Sequence, residues 1–212
     1  MIRQQVKDVY HILTRFLTLP NYYIAKLRLA FRSNPKGHYL HLACGPVYIP
    51  GMINTDVNIF RKTDLWLDLR NGLPCADSSV YFVYFCNAIH HLYPDDAIRL
   101  LQEIRRVLRP DGIARVSAPS FKYALEEVAT GKAESKWPRA FEESLAQAIN
   151  QIFCDGQCKY AYSFGVFDTF ARQAGFREVI NYSQKYGNQL KRYGDIEVGN
   201  EPKTQLVVEL LP

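Results

Sequence analysis

Four short stretches of this 212-residue chain end in residues able to hold a ligand or move a proton. Gly45 follows the apolar run Tyr39 to Ala43, and Asp56 closes the run that starts at Met52. Asp68 follows Thr63 to Leu67, while Asn87, His90 and His91 follow Val80 to Cys86. A glycine directly after a strand permits a tight turn and close approach of backbone to a ligand. A carboxylate ending a second strand is an acceptor for the two hydroxyls of a ribose. A histidine, with an ordinary pKa of about 6.5, can take a proton from a hydroxyl near neutrality. Polar groups recurring after successive apolar runs mark a ligand site, because open parallel sheets bind ligands beyond the carboxyl ends of their strands.

The elements that must carry these residues are strands alternating with helical or turn connections, which predicts an α/β fold with a mostly parallel sheet. Strands are expected at Tyr39–Ala43, Met52–Asp56, Thr63–Leu67, Val80–Cys86 and Ile113–Ala118. The 80–86 run has no polar alternation, as a mid-sheet strand covered on both faces requires. A helix is expected from Pro94 to Leu108: Pro94 suits its first position, Asp95 and Asp96 its positive end, and Ile98, Leu101, Ile104, Val107 and Leu108 make one stripe. Arg109-Pro110-Asp111-Gly112 should stop it and turn the chain. Residues 121–160 break the rhythm with charged helical sequence around Trp137 and Phe141, too long for a connecting loop, and read as a helical cap over the strand ends. A helix at Val166–Ala174, closed by Gly175, precedes strands at Phe176–Tyr182 and Thr204–Leu210, separated by a long loop with Gly187, Gly194 and Gly199.

Residues 1–36 form a separate basic arm. They hold seven of the 26 Lys and Arg residues and one of the 21 Asp and Glu (+6), leaving 19 and 20 (−1) for the domain at 37–212. A domain so balanced lacks the clustered positive charge that a broad nucleic-acid face needs. Within the arm, Ile2, Val6, Val9, Ile12, Leu13, Phe16 and Leu17 recur with helical period up to Pro20, and a second helix is expected from Asn21 to Phe31. Such an arm is expected to dock on its own domain; a basic amphipathic helix can also lie on an anionic membrane surface. No run approaches the roughly 20 apolar residues of a membrane helix, and no signal peptide is apparent, so a cytoplasmic protein is expected, peripheral at a membrane if the arm acts so. Five cysteines, an odd number, argue against a disulfide framework, and Cys154 with Cys158 lacks the second ligand pair of a zinc site, so no metal is expected.

The ribose-binding carboxylate fits NAD and S-adenosylmethionine equally, and glycine spacing separates them. A dinucleotide fingerprint needs G-x-G-x-x-G with its acid about 20 residues on. Here Gly45 stands alone and Asp56 follows eleven residues later, so no glycine-rich helix start remains for a pyrophosphate. His-Leu-Ala-Cys-Gly-Pro (41–46), Pro-Gly-Met-Ile-Asn-Thr-Asp (50–56), Asp-Leu-Arg-Asn-Gly-Leu-Pro (68–74), Asn-Ala-Ile-His-His-Leu (87–92) and Glu-Ile-Arg-Arg-Val-Leu-Arg-Pro-Asp-Gly (103–112) resemble, in order, the motifs of class I S-adenosylmethionine-dependent methyltransferases, specifically the UbiE-like, type 11 group. Ala-Gly-Phe at 174–176 and the two strands after it look like that family's C-terminal hairpin, so the resemblance spans residues 37–212.

The resemblance implies a Rossmann-like, mostly parallel seven-stranded sheet with an antiparallel C-terminal strand, and an enzyme that converts S-adenosylmethionine to S-adenosylhomocysteine. By position, Ala43, Cys44, Gly45 and Pro46 would meet the methionine part, Asp56 and Val57 the ribose, Asp68 and Leu69 the adenine, and Asn87 the region beneath the sulfonium. One departure is the connection from Gly45 to Gly51, too short for a crossover helix. A hydroxyl acceptor would need a base, for which His90 and then His91 are the candidates; His41 reads as a satisfied core residue. Trp137, Lys159, Tyr160 and Tyr162 are candidate acceptor contacts, with Tyr186, Arg192 and Tyr193 behind them. The expected acceptor is a small molecule, lipid or glycan. The alternatives are a degenerate methyltransferase-like binding module and an RNA methyltransferase, the latter disfavoured by the charge of the main domain.

Overall fold

The computed structural model describes residues 4–30, 37–130, 158–182, 191–194, 196–198 and 205–212. Trp137, Tyr186, Cys154 and most of the expected cap lie outside these residues. The order is α1 (Gln4–Leu17), α2 (Leu19–Ala30), β1 (His38–His41), β2 (Ile53–Asp56), β3 (Leu65–Trp66), β4 (Val80–Phe85), α3 (Pro94–Val107), β5 (Leu108–Pro119), α4 (Phe121–Ala129), α5 (Phe164–Gln173), β6 (Glu178–Asn181), β7 (Lys191–Tyr193), β8 (Ile196–Val198) and β9 (Gln205–Leu211). Seven strands form one sheet in the order β3-β2-β1-β4-β5-β9-β6. β1 to β5 pair in parallel, and β9 enters antiparallel between β5 and β6. β4 is central, as its unbroken apolar run predicts.

Alternation along β4 divides the core. Val83 and Phe85 face the larger cluster with Leu101 and Ile104 of α3 and Phe167 and Ala171 of α5. Phe82 and Tyr84 face the other side, where Met52, Tyr193, Ile196 and Val198 cover them. The hairpin β7–β8 therefore supplies apolar cover on a face where the β1–β2 connection has no helix. It was expected to be part of a glycine-bearing loop. Tyr193 stacks on Phe82 with ring centroids 4.0 Å apart, and its hydroxyl bonds Glu209, which also pairs with Arg115 at 3.1 Å. Tyr193 is therefore a core residue in a buried polar cluster, which corrects its expected place among the acceptor contacts; the Arg192 side chain lies outside the described structure.

α3 follows the sequence closely, with Pro94 at its start, Asp95 and Asp96 in the first turn, and Arg105 and Arg106 in the last. Glu103 accepts from the Leu73 backbone N–H at 3.0 Å while Arg106 donates to the carbonyls of Leu73 and Cys75, both at 3.0 Å, so α3 fixes the loop leading from Asp68 to β4. Arg109 to Gly112 lie within β5, at a register shift opposite Val80 to Phe82, rather than in a separate turn.

α1 stops at Leu17, but Pro20 falls in the first turn of α2, where its missing N–H is no loss. The arm docks on the domain, yet with the side opposite to the one its apolar period suggests. Tyr10, Thr14 and Thr18 face the domain: Tyr10 donates to the Val57 carbonyl at 2.9 Å, and Asn71 donates to Thr18 Oγ at 3.1 Å. Val9, Ile12, Leu13, Phe16 and Leu17 are exposed.

Candidate active site

The carboxyl ends of β1 and β2 are joined through Asp56. Its Oδ2 accepts the Gly45 N–H at 2.8 Å and its Oδ1 the Asn58 N–H at 2.7 Å. The carboxylate thus holds the turn after β1 in place and keeps acceptor capacity, since each oxygen offers two lone pairs. Ala43 and Gly45 adopt positive φ (48° and 56°), left-handed backbone that places the turn across the strand ends. A Cβ at Gly45 would meet nothing within 4 Å, so the turn fronts open space. Cys44 is buried, and burial pushes its thiol up to about 11, leaving it neutral; Pro46 is exposed. Ala43 to Pro46 present backbone rather than charge to the cradle.

No helix supports this turn, and Asn54 takes over that work. Fully buried on β2, it accepts from the Ile49 N–H at 2.9 Å and donates to the Ile49 and Met52 carbonyls, both at 3.0 Å, and to Asp64 at 3.0 Å. Its Oδ1 also lies 3.0 Å from His41 Nδ1. Asp64 in turn accepts the Asn54 N–H at 2.8 Å. His41 is the satisfied core residue its strand position suggests, and burial lowers its pKa. Asn54 and Asp64 had no assigned role from sequence, although Asn54 sits inside a quoted motif.

Asp68 ends the β3 segment, buried, and caps the short turn Leu69–Asn71 by accepting the Arg70 N–H at 3.0 Å. Arg70 folds back onto it, with Nε at 2.9 Å from Oδ1, and Thr14 of α1 approaches Oδ2 at 3.5 Å. Much of this carboxylate therefore serves to shape the turn and receive α1, while Leu69 stays half-buried beside it. Val57 accepts from both Tyr10 and Trp66 Nε1 (2.7 Å), so α1 closes the edge where Asp56 and Asp68 lie.

Beyond β4, Asn87 is exposed with φ 52°, its N–H held by the Ser117 carbonyl at 3.0 Å. Ala43 and Asn87, non-glycine residues after β1 and β4, both adopt positive φ, as does Ser78 in the loop before β4. The chain then turns through Ile89–His91. His90 is buried, and its carbonyl accepts the N–H groups of Lys159 (2.7 Å) and Tyr160 (3.3 Å), which brings these two sequence candidates to it across a long separation. His90, Pro119, Ser120, Phe121, Cys158, Tyr160 and Ala161 line a narrow cleft with room for about one water molecule. Lys159 lies 5.5 Å from the Tyr93 ring centre. Tyr162 is fully buried against Phe167, so it packs the core instead of lining the cleft. Ser120 and Phe121, not among the residues singled out from the sequence, directly follow β5 much as Asn87 follows β4, and their position beyond a strand end is the signal that marks them. Among the described residues no His, Cys, Asp and Glu cluster could hold a metal ion.

Burial, with a smaller contribution from the neighbouring His91 charge, pushes the His90 pKa down to about 3. Its Nδ1 has no hydrogen-bond partner among the described residues, and exposed His91 lies against it with ring centroids 4.0 Å apart. A folded-state value below the unfolded one makes the unfolded chain bind more protons, so stability falls as pH drops from about 6.5 towards about 3. Between pH 7 and pH 5 this group should remove about 2 kcal/mol from the wild type. Urea unfolding of His90→Gln should show an acid loss smaller by that amount; equal losses in the two proteins would place His90 in a solvated setting.

Residues 56–116 match the methyltransferase-domain family Methyltransf_11. No curated protein matches the chain in sequence. Among solved structures, an S-adenosylmethionine-dependent methyltransferase from Thermotoga maritima is 16% identical with a TM-score of 0.50, over 98% of this chain and 96% of its own. Another from Archaeoglobus fulgidus is 13% identical with a TM-score of 0.52, over 89% and 93%. A complex between the Haloferax volcanii Trm112 methyltransferase activator and a methyltransferase gives 14% identity and a TM-score of 0.52, over 96% of each chain. The chain thus has the fold of the class I S-adenosylmethionine-dependent methyltransferases, with the methyltransferase-domain match falling on the segment that holds Asp56, Asp68, Asn87 and His90.

Proposed function

We propose that the protein is an S-adenosylmethionine-dependent methyltransferase of the UbiE-like, type 11 group, acting on a small-molecule, lipid or glycan acceptor in the cleft beside His90. The observation that carries this reading is Asp56, which ends β2 and reaches across to Gly45, in a turn that fronts open space, while keeping acceptor capacity of its own. Asp56 and Val57 would hold the ribose, the Ala43 to Pro46 backbone the methionine part, Asp68 and Leu69 the adenine, and Asn87 the edge nearest the acceptor. The cofactor supplies a methyl group on a cationic sulfonium, an electrophile that needs an aligned nucleophile.

Alignment and exclusion of water can provide most of such an acceleration. His90 stays neutral across the physiological range, so its role is to accept a hydrogen bond and orient the acceptor rather than to remove a proton strongly. His91, exposed beside it, is the remaining candidate for a proton acceptor. Lys159 and Tyr160 would form the near wall of the acceptor site.

Incubation with methyl-tritiated S-adenosylmethionine and separate small-metabolite, lipid and glycan extracts should label one pool. His90→Ala should slow labelling by about 10- to 100-fold with cofactor affinity unchanged. A protein that binds the cofactor but labels none of the pools would be a binding module, and the enzyme reading would fall.

A further inference from the structure

The polar side of α1 is spent on the domain, and its apolar side is left facing out. Val9, Ile12, Leu13, Phe16 and Leu17 are exposed on α1, and Leu19, Tyr23, Ile24 and Leu27 on α2, with Phe16 at 66% and Leu27 at 63%. On a helical period, Leu19, Tyr23 and Leu27 share one face of α2, flanked on its two sides by exposed Lys26 and Arg28; exposed Arg15 borders the apolar face of α1. Residues 9–36 contain no Asp or Glu. A second element repeats this chemistry nearby. The loop after β2, tied to α1 by the Tyr10–Val57 hydrogen bond, exposes Ile59 and Phe60, the latter at 91%, followed by exposed Arg61 and Lys62.

We infer that α1, α2 and the Ile59–Lys62 loop form a docking face for an anionic lipid bilayer, on which the protein lies without crossing. Apolar side chains bordered by basic ones are what a headgroup boundary accommodates: the hydrocarbon parts enter, and the cations stay among lipid phosphates. Charge selects this occupant over a second copy of the chain. A symmetric contact of this face with itself would bring two basic rims (Arg15, Lys26 and Arg28 from each copy) together, with no carboxylate on either helix from residue 9 onward to pair with them. No described helix is long and apolar enough to cross a membrane, so surface attachment is the form the proposal takes.

The test is flotation of the full chain with vesicles of phosphatidylcholine alone and of phosphatidylcholine mixed with phosphatidylglycerol. The proposal expects binding to the anionic vesicles about tenfold or more above the neutral ones, falling as salt is raised. Phe16→Glu with Leu27→Glu, and separately Lys26→Glu with Arg28→Glu, should each reduce it by about tenfold at an unchanged melting temperature. Wild-type protein that stays with the soluble fraction in both cases overturns the proposal, as does binding that survives both double variants. A dimer in sedimentation that Phe16→Glu splits, or a marked fall in melting temperature for the Phe16 and Leu27 variant, would show that protein covers this face and would equally overturn it.

Discussion

Asp56→Ala will lower the affinity for S-adenosylmethionine and S-adenosylhomocysteine by about 100-fold or more while leaving a folded protein. The two charge-assisted hydrogen bonds proposed between Asp56 and ribose hydroxyls, at about 1.5–3 kcal/mol each, would account for such a loss. A second effect adds to it. The same carboxylate fixes the Gly45 and Asn58 N–H groups at 2.8 Å and 2.7 Å, so its removal also loosens the turn proposed to meet the methionine part. Asp56→Asn should fall between, because the amide keeps an acceptor oxygen for one of the two backbone donors but turns its own N–H₂ toward the other. Calorimetric titration of both variants, with circular dichroism as the control for folding, measures this. Affinity within about threefold of the wild type in Asp56→Ala would mean that the carboxylate serves only the turn.

Asn54→Ala will strongly destabilise the fold beside the site. It strips partners from the Ile49 backbone on both its groups, from the Met52 carbonyl, from Asp64 and from His41, in a position with no solvent access. Each buried group left unpaired costs about 1–3 kcal/mol, and with partial relaxation the total should reach about 3 kcal/mol. For a chain of this size that corresponds to a melting-temperature fall of roughly 6–12 °C. Asn54→Asp should be worse still, since it turns oxygen toward the Ile49 and Met52 carbonyls and sets a second carboxylate against Asp64. Thermal unfolding settles the matter: a shift under about 2 °C for the alanine variant would show that the turn holds itself without Asn54.

The centre of the sheet was legible from the residues because β4 is covered on both faces and reads as an unbroken apolar run. β4 and α3 were placed almost to the residue, since a continuous run and a capped stripe are strong local signals. The hairpin β7–β8 was read as loop because strands of three residues carry almost no periodicity. Its one local signal is the Gly-Asp pair at 194–195, which suits a two-residue hairpin turn, with Tyr193 paired to Ile196 across it. The inverted docking of α1 was hidden for a different reason. Periodicity shows that a helix has two faces, but which one meets the domain depends on where Val57 and Asn71 offer hydrogen bonds to Tyr10 and to Thr18.

The site divides along the same line. Asp56, Gly45 and Asn87 follow from the rule that ligands lie beyond strand ends, and the structure brings the ends of β1 and β2 together through Asp56. The burial that lowers the His90 pKa, the turn-shaping engagement of Asp68 with Arg70, and the bracing of the β1–β2 connection by Asn54 are long-range facts that no local pattern encodes.

Whether this cradle binds S-adenosylmethionine is decided by calorimetric titration of the full chain with S-adenosylmethionine, S-adenosylhomocysteine and NADH. Saturable one-to-one binding of the first two and none of the third is expected. A properly folded protein that releases no heat with either sulfur cofactor, at concentrations where its relatives in fold would be saturated, would contradict it.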